Sequence, residues 1–151
     1  MAYQLPVDCL NEIFEYLEEV KPSLHSCLLV SRLWCEISVR ILWRNIWDFR
    51  RSLRVATSIL STLIACLPNE SKELLFENVI FISTPTSKPP LFNYASFCKV
   101  LLIYKIVYMI NIVLREISER RLVANEVLKM FTDHMVIYMI IIVYLLLIFL
   151  G

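Results

Sequence analysis

Residues 5–17 read LPVDCLNEIFEYL, and this stretch decides the fold that the sequence predicts for the N-terminal region. Pro6 suits the first turn of a helix, because its missing N–H would have no intrahelical partner there. Asp8 places negative charge near the positive end of the helix dipole. Apolar residues from Leu10 to Leu17 recur at i, i+3, i+4 and i+7, which predicts a helix with one apolar stripe.

A second helical pattern includes the stretch CLLVSRLW at residues 27–34. The first pattern is broken at residues 21–23, and Ser23 is the predicted N-cap of a short helix. We expect Ser31 to separate this short helix from a longer one. The stripe of the longer helix consists of Val30, Leu33, Trp34, Ile37 and Ile41.

This N-terminal segment carries more apolar residues than one small core is expected to hold. A helical unit of roughly 45 residues lies near the lower limit of independent stability, because it buries a modest fraction of its surface. An exposed apolar patch of more than a few hundred Å² usually marks a site for a partner. The segment is therefore predicted to bind another protein, unless these side chains share a core with the downstream chain. The surplus residues are Leu5, Leu10, Phe14, Leu29, Val30, Trp34, Trp43 and Trp47.

The order and spacing of these residues resemble an F-box. The resemblance covers about residues 3–48 and rests on Leu5-Pro6, the stripe from Leu10 to Leu17, and residues 30–34 with Trp43 downstream. Asp8 stands where Glu is common in that family, and Ser31 stands where Cys is common. The flanking chain is similar to fungal F-box proteins whose later parts form leucine-rich repeats.

The resemblance implies a fold, a partner and a role. It implies an all-α chain with an N-terminal three-helix F-box that docks onto a Skp-type adaptor. The adaptor joins a cullin scaffold in a ubiquitin ligase, where the F-box protein selects the substrate and is not itself an enzyme. Pro6, Phe14 and Trp34 are the expected energetic anchors, since few interface residues carry most of the binding energy. The implied adaptor-binding residues are Leu5, Pro6, Leu10, Ile13, Phe14, Leu17, Leu28, Val30, Ser31, Arg32 and Trp34.

Composition argues against most other functions. The chain is 58% hydrophobic with a net charge of +1, so no global charge directs it to nucleic acid. Five scattered cysteines without CxxC spacing indicate reduced thiols of an intracellular protein of cytoplasm or nucleus, with no metal and no cofactor expected. His25 and His134 have no catalytic partner at a recognisable spacing, and a single Gly argues against a phosphate-binding loop.

A rival hypothesis is a helix-turn-helix protein that binds DNA. The short helix followed by a long one fits that pattern superficially. The face that would read bases, however, presents Trp34, Ile37 and Ile41 rather than polar side chains. We therefore expect no nucleic-acid partner. The basic cluster behind the rival hypothesis consists of Arg40, Arg44, Arg50, Arg51 and Arg54.

The rest of the chain predicts further helices. Helical patterns cover residues 52–67, 72–78 with Ser71 as the cap, 94–114 and 119–131. No leucine-rich repeat signature is present, so we expect a truncated chain whose substrate-recognition half is missing or unrecognisable. The alternative function is a membrane-tethered or truncated helical protein that only occupies the adaptor and delivers no substrate to the ligase. The predicted domains are the F-box at 3–48, a helical extension at 49–82, a Pro/Ser/Thr linker at 83–90, a helical region at 91–133 and a hydrophobic tail at 134–151.

Residues 135–150 carry no charge, Gly or Pro. As a helix they would span ~24 Å, which is less than the ~30 Å hydrocarbon core of a bilayer. Three interpretations stay open: a marginal transmembrane helix or tail anchor, a buried helix that packs on residues 100–114, and a non-native tail from truncation or a wrong gene model. Under the first, the protein is membrane-associated. Lys99, Lys105 and Asn111 argue against a lipid-facing helix at residues 97–114, so we expect a soluble helix pair there, with a membrane hairpin formed with the tail as the alternative.

Overall fold

The computed structural model describes residues 5–47, 52–84 and 88–134, and all regular secondary structure within them is α-helical. The all-α prediction is therefore confirmed for this part of the chain. The hydrophobic tail at 135–151 lies outside the described residues. The helices are α1 (Val7–Tyr16), α2 (Lys21–Cys27), α3 (Arg32–Leu42), α4 (Leu53–Cys66), α5 (Asn69–Glu77), α6 (Tyr94–Phe97), α7 (Ile103–Val113) and α8 (Ile117–His134).

The described residues divide into two units, of which the N-terminal unit comprises residues 5–46 and 97–100. In this unit α1 and α2 both pack on α3. The buried side chains come from all three helices, so the core is closed only when the three are assembled. Its members are Leu10, Phe14, Leu24, Cys27, Ile37 and Ile41, with Leu17, Leu33, Trp34 and Leu42 partly buried against them.

Local sequence sets the helix boundaries of the N-terminal unit. The Ser31 side chain accepts a hydrogen bond from the Trp34 backbone N–H at 3.2 Å and caps α3, which confirms the predicted break at Ser31. The prediction that Ser23 caps the short helix is wrong. Helix α2 already begins at Lys21, because Pro22 fits the first turn without losing a hydrogen bond.

The second unit contains helices α4, α5, α7 and α8, and its described parts are Trp47 and residues 52–84, 88–96 and 101–134. Helix α7 packs on both α4 and α8, and α5 packs on α8. Trp47 is buried and makes an edge contact with Phe131, with ring centroids 6.1 Å apart. The central buried side chains are Ala56, Leu60 and Leu63 of α4, Ile106, Met109 and Ile110 of α7, and Val123 and Val127 of α8.

Two helical predictions for the second half are wrong in detail. The single helix predicted over 94–114 is interrupted between α6 and α7, and Phe97 to Val100 belong to the N-terminal unit. Ser71 does not cap α5, which begins at Asn69 directly after Pro68. The Ser71 side chain is buried instead, and its hydroxyl donates to the carboxylate of Glu126 on α8.

Helix α5 ends in a Schellman turn that is built on an unfavourable residue. The Ile80 N–H donates to the Leu75 carbonyl and the Val79 N–H donates to the Phe76 carbonyl, both at 3.0 Å. Leu75 and Ile80 are both buried, as the apolar contact of this motif requires. Val79 takes the left-handed position with φ of 61°, where a β-branched residue is strained and glycine is not.

Replacing Val79 by glycine is expected to stabilise the second unit by about 0.5–1 kcal/mol, because it relieves the left-handed strain. The measurement is the midpoint of urea unfolding for the full chain. Val79→Ala retains a Cβ and serves as the control, with a smaller gain expected. A midpoint that falls in the glycine variant would contradict the assignment of strain to this turn.

No helix within residues 5–47, 52–84 and 88–134 combines the length and the apolar character that crossing a bilayer requires. The open interpretations of residues 135–150 concern the part of the chain outside these ranges.

Candidate functional site

The N-terminal unit holds its helices together through an aromatic pair. Phe14 of α1 is 1% exposed, and its ring meets that of Trp34 at a centroid distance of 5.1 Å and an interplanar angle of 87°. This edge-to-face arrangement is the favoured geometry for aromatic rings. Trp34 lies at the margin of the core with its side chain partly exposed. The pair thus extends from the core of the unit, at Phe14, to its surface, at Trp34.

A stripe of exposed residues runs along α1 beside its buried face. Cys9, Ile13 and Tyr16 are exposed and follow the i, i+4, i+7 spacing of one helical face. Leu5 and Pro6, which precede the helix, are exposed as well. We call these five residues the α1 stripe. Its apolar character is unusual for the outer face of a helix in a small unit, where polar residues are expected.

The turn between α2 and α3 forms a second exposed apolar segment. Leu29 is 91% exposed and Val30 is also exposed. The Val30 N–H donates to the Cys27 carbonyl, and the following residue, Ser31, caps α3. The apolar side chains of this turn are therefore presented by ordered backbone rather than by a loose loop.

The structure sorts the eleven residues implied by the resemblance into three groups. Leu10 and Phe14 are buried in the core of their own unit, so the expectation that one core cannot absorb them is wrong. The three helices together enclose a larger core than the apolar stripe of each single helix indicates. The partly buried members are Leu17, Leu28 and Trp34, and the exposed members are Leu5, Pro6, Ile13, Val30, Ser31 and Arg32.

Sequence reasoning missed two members of the exposed surface. Cys9 and Tyr16 were not among the implied residues, although both share a helical face with Ile13. The sequence feature that could have identified them is the i, i+4, i+7 spacing of Cys9, Ile13 and Tyr16, a helical face next to the stripe from Leu10 to Leu17. Leu29 is exposed, as expected for a residue outside the small core. The resemblance did not include it among the adaptor-binding residues.

Arg44 ties α1 to the turn after α3. Its guanidinium makes two hydrogen bonds to the Glu15 carboxylate, both at 2.7 Å, and a third to Glu18 at 3.1 Å. The Arg44 carbonyl accepts from the backbone N–H groups of Lys99 and Val100, at 3.0 and 3.2 Å. One residue therefore joins the helices to the segment at 97–100 by its side chain and its backbone.

The Arg44 guanidinium lowers the pKa of Glu15, chiefly by hydrogen bonding, and partial burial opposes this effect. The same pair raises the pKa of Arg44. Because the folded carboxyl has a lowered pKa, its stabilising contribution is fully present above its ordinary pKa of 4.5. The contribution is lost as the pH falls below 4.5 and through the lowered folded pKa.

Replacing Glu15 by glutamine should lower the free energy of unfolding above pH 4.5 by only about 0.5–1 kcal/mol, since half of the side chain is exposed and solvent screens the pair. The difference from the wild type should shrink as the pH falls. Urea unfolding at neutral pH and at pH 3 measures it. Glu12→Gln changes an exposed carboxylate of the same helix and is the control. A difference that grows toward acid pH would refute the sign.

Two of the arginines behind the DNA-binding hypothesis are committed to contacts within the N-terminal unit. Arg40 pairs with Glu36 at 2.6 Å and its guanidinium lies 5.9 Å from the ring centroid of Phe97. Arg44 is neutralised by Glu15 and Glu18. Arg50 and Arg51 lie outside the described residues. The contacts of Arg40 and Arg44 therefore disfavour a phosphate-binding patch at these two positions.

Comparison with known families identifies the N-terminal region. Residues 2–48 match the family model described as F-box-like. The chain carries an F-box-like domain. This match confirms the F-box resemblance over nearly the same residues, while the fungal type and the truncation stay predictions. Neither the curated proteins nor the solved structures gave a match.

An F-box-like domain supports a general role as a subunit of ubiquitin ligase complexes. F-box proteins are in general substrate receptors rather than enzymes, and their F-box domains typically bind Skp-type adaptors. Within the described residues, no three side chains of His, Cys, Asp or Glu are grouped closely enough to hold a metal ion.

Proposed function

We propose that this protein is an F-box subunit that binds a Skp-type adaptor and thereby links a substrate protein to a cullin ubiquitin ligase. The observation that supports the proposal most directly is the coincidence of the F-box-like match with exposed apolar side chains on the same three helices. The contact residues proposed from the structure are the α1 stripe and the turn at Leu29 and Val30.

The division of the implied residues between core and surface refines the proposal. Leu10 and Phe14 support adaptor binding by holding α1 against α3, and they do not themselves reach a partner. Ile13 and Val30 are exposed and can lose water on contact, which is the usual source of affinity at an interface core. Trp34 contributes both to the core of the unit and to the contact surface, because its ring packs on Phe14 while part of the side chain stays accessible.

Co-purification tests the proposal. The full chain is co-expressed with a Skp-type adaptor and separated by gel filtration, and a cullin is then added to the isolated fraction. We expect an equimolar complex with the adaptor that recruits the cullin. If the chain is folded by circular dichroism but elutes apart from the adaptor, the proposed function is wrong.

A further inference from the structure

An exposed aromatic pair marks the end of α5 in the second unit. Phe76 and Phe81 are 67% and 70% exposed, and their rings meet edge to face with centroids 5.7 Å apart. The Schellman turn at Val79 brings the two rings together. Aromatic side chains held by ordered backbone lose little conformational entropy on binding, which makes them effective anchors at interfaces.

A row of carboxylates lies beside this pair on α5. Glu70, Glu73 and Glu77 follow the i, i+3, i+7 spacing of one helical face, and all three are exposed. Glu73 precedes Phe76 by three residues and is its neighbour on the helix surface, and Glu77 directly follows Phe76 at the end of α5. The groove next to the row has Lys129 as its single basic side chain, and its lining is Glu70, Ser71, Glu73, Leu74, Glu77, Glu126 and Lys129.

The row does not serve the stability of α5. Like charges at i, i+3 and i, i+4 repel, and no ion pair within 4.0 Å involves Glu70, Glu73 or Glu77 among the described residues. Glu70 is favourable in the first turn, but Glu77 is the last residue of the helix, where negative charge faces the negative end of the dipole. An arrangement that opposes folding and flanks an exposed aromatic pair indicates a binding role.

We propose that Phe76 and Phe81, with Glu73 and Glu77 beside them, form a docking surface for a basic segment of the substrate protein that carries an apolar anchor. Its lysine or arginine side chains would pair with the carboxylates, and its apolar side chain would pack on the two rings. Charge complementarity selects this occupant over an acidic or a purely apolar one. The inference rests on the proposed function, because it assigns the surface to the substrate.

The probe is a fluorescein-labelled amphipathic peptide with lysine on one face and leucine on the other, and its binding to the full chain is followed by fluorescence anisotropy. We expect affinity to fall as salt is raised. Peptides with glutamate in place of lysine, or serine in place of leucine, should bind about tenfold more weakly. Equal binding of all three peptides would overturn the proposal.

Variants of the protein locate the surface. Glu73→Gln combined with Glu77→Gln, and separately Phe76→Ser, should each weaken binding of the lysine–leucine peptide about tenfold. Glu116→Gln and Leu91→Ser change an exposed carboxylate and a 68% exposed apolar residue elsewhere in the second unit, and they should leave it unchanged. Equal losses in these controls would place binding elsewhere and contradict the proposal.

Two further readouts separate the alternatives. Glu77→Gln should raise the melting temperature while it weakens peptide binding, whereas a residue kept for stability would lower the melting temperature. Light scattering tests a second copy as the occupant: dimerisation abolished by Phe76→Ser would assign the surface to self-association and overturn the proposal.

Adaptor co-purification of the same variants keeps this test distinct from that of the proposed function. The N-terminal unit is not altered by Phe76→Ser, so adaptor binding should persist. Adaptor binding without peptide binding refutes the docking surface alone. Peptide binding that follows the predicted pattern without adaptor binding supports the surface and refutes the ligase role.

Discussion

Replacing Phe14 by alanine is expected to destabilise the N-terminal unit by about 3–5 kcal/mol, the range for removing a fully buried aromatic side chain. The ring is 1% exposed and packs edge to face on Trp34, so its loss leaves a cavity and removes an aromatic contact. A unit of roughly fifty residues is expected to have a folding free energy of about 2.5–7.5 kcal/mol. The variant should therefore lose much or all of that stability.

Urea unfolding followed by tryptophan fluorescence measures this loss, because Trp34 contacts the deleted ring directly. Phe14→Leu fills part of the cavity and should retain a folded unit with a smaller loss. Ile13→Ala changes the neighbouring, half-exposed residue and should cost much less. If Phe14→Ala were as stable as Ile13→Ala, the burial of Phe14 in the core would be refuted.

The helical content of the N-terminal unit was largely predictable from sequence, because the apolar stripes of α1 and α3 are long and periodic. Ser31 was predictable as a boundary, since a serine before an apolar run is a strong N-cap signal. The same signal also predicted Ser23 and Ser71 as N-caps, and at both positions the prediction was wrong. At both places a neighbouring proline, Pro22 or Pro68, sets the helix start earlier.

Which apolar residues are buried and which stay exposed was less predictable than their presence in the segment. Phe14 and Ile13 are adjacent and both apolar, yet only the packing of three helices decides that one is buried and the other is not. The break between α6 and α7 had no clear sequence signal either. Residues 98–102 are apolar except for Lys99 and contain no Gly or Pro, and Phe97 to Val100 contribute to the N-terminal unit.

The docking surface on α5 was invisible from sequence for a related reason. The row of glutamates has the composition of an ordinary solvated face, which is what charged residues on a helix usually form. Only the left-handed backbone at Val79 places Phe81 against Phe76 beside that row. The contact between Phe76 and Phe81 depends on the turn at the end of α5. Valine at the left-handed position of that turn gives no sequence signal, because glycine or asparagine is the usual residue there.

Replacing both Ile13 and Val30 by aspartate is expected to weaken binding of the Skp-type adaptor at least about 100-fold. Each position supplies an exposed apolar contact, and such contacts contribute about 1–3 kcal/mol when they lie at the centre of an interface. A charge buried against an apolar partner adds a desolvation penalty. Titration calorimetry with the purified adaptor measures the change. Leu91→Asp, at an exposed residue of the second unit, is the matched control.

The comparison of this double variant with Phe14→Ala distinguishes a contact surface from a folding requirement. Both changes should weaken adaptor binding strongly, but only Phe14→Ala should alter the unfolding transition, because aspartate at exposed positions typically changes stability by less than about 0.5 kcal/mol. Wild-type affinity in a folded Ile13→Asp, Val30→Asp protein would place the adaptor contact elsewhere on the F-box-like domain. Loss of binding with an unchanged unfolding midpoint would instead assign the contact to α1 and the turn that precedes α3.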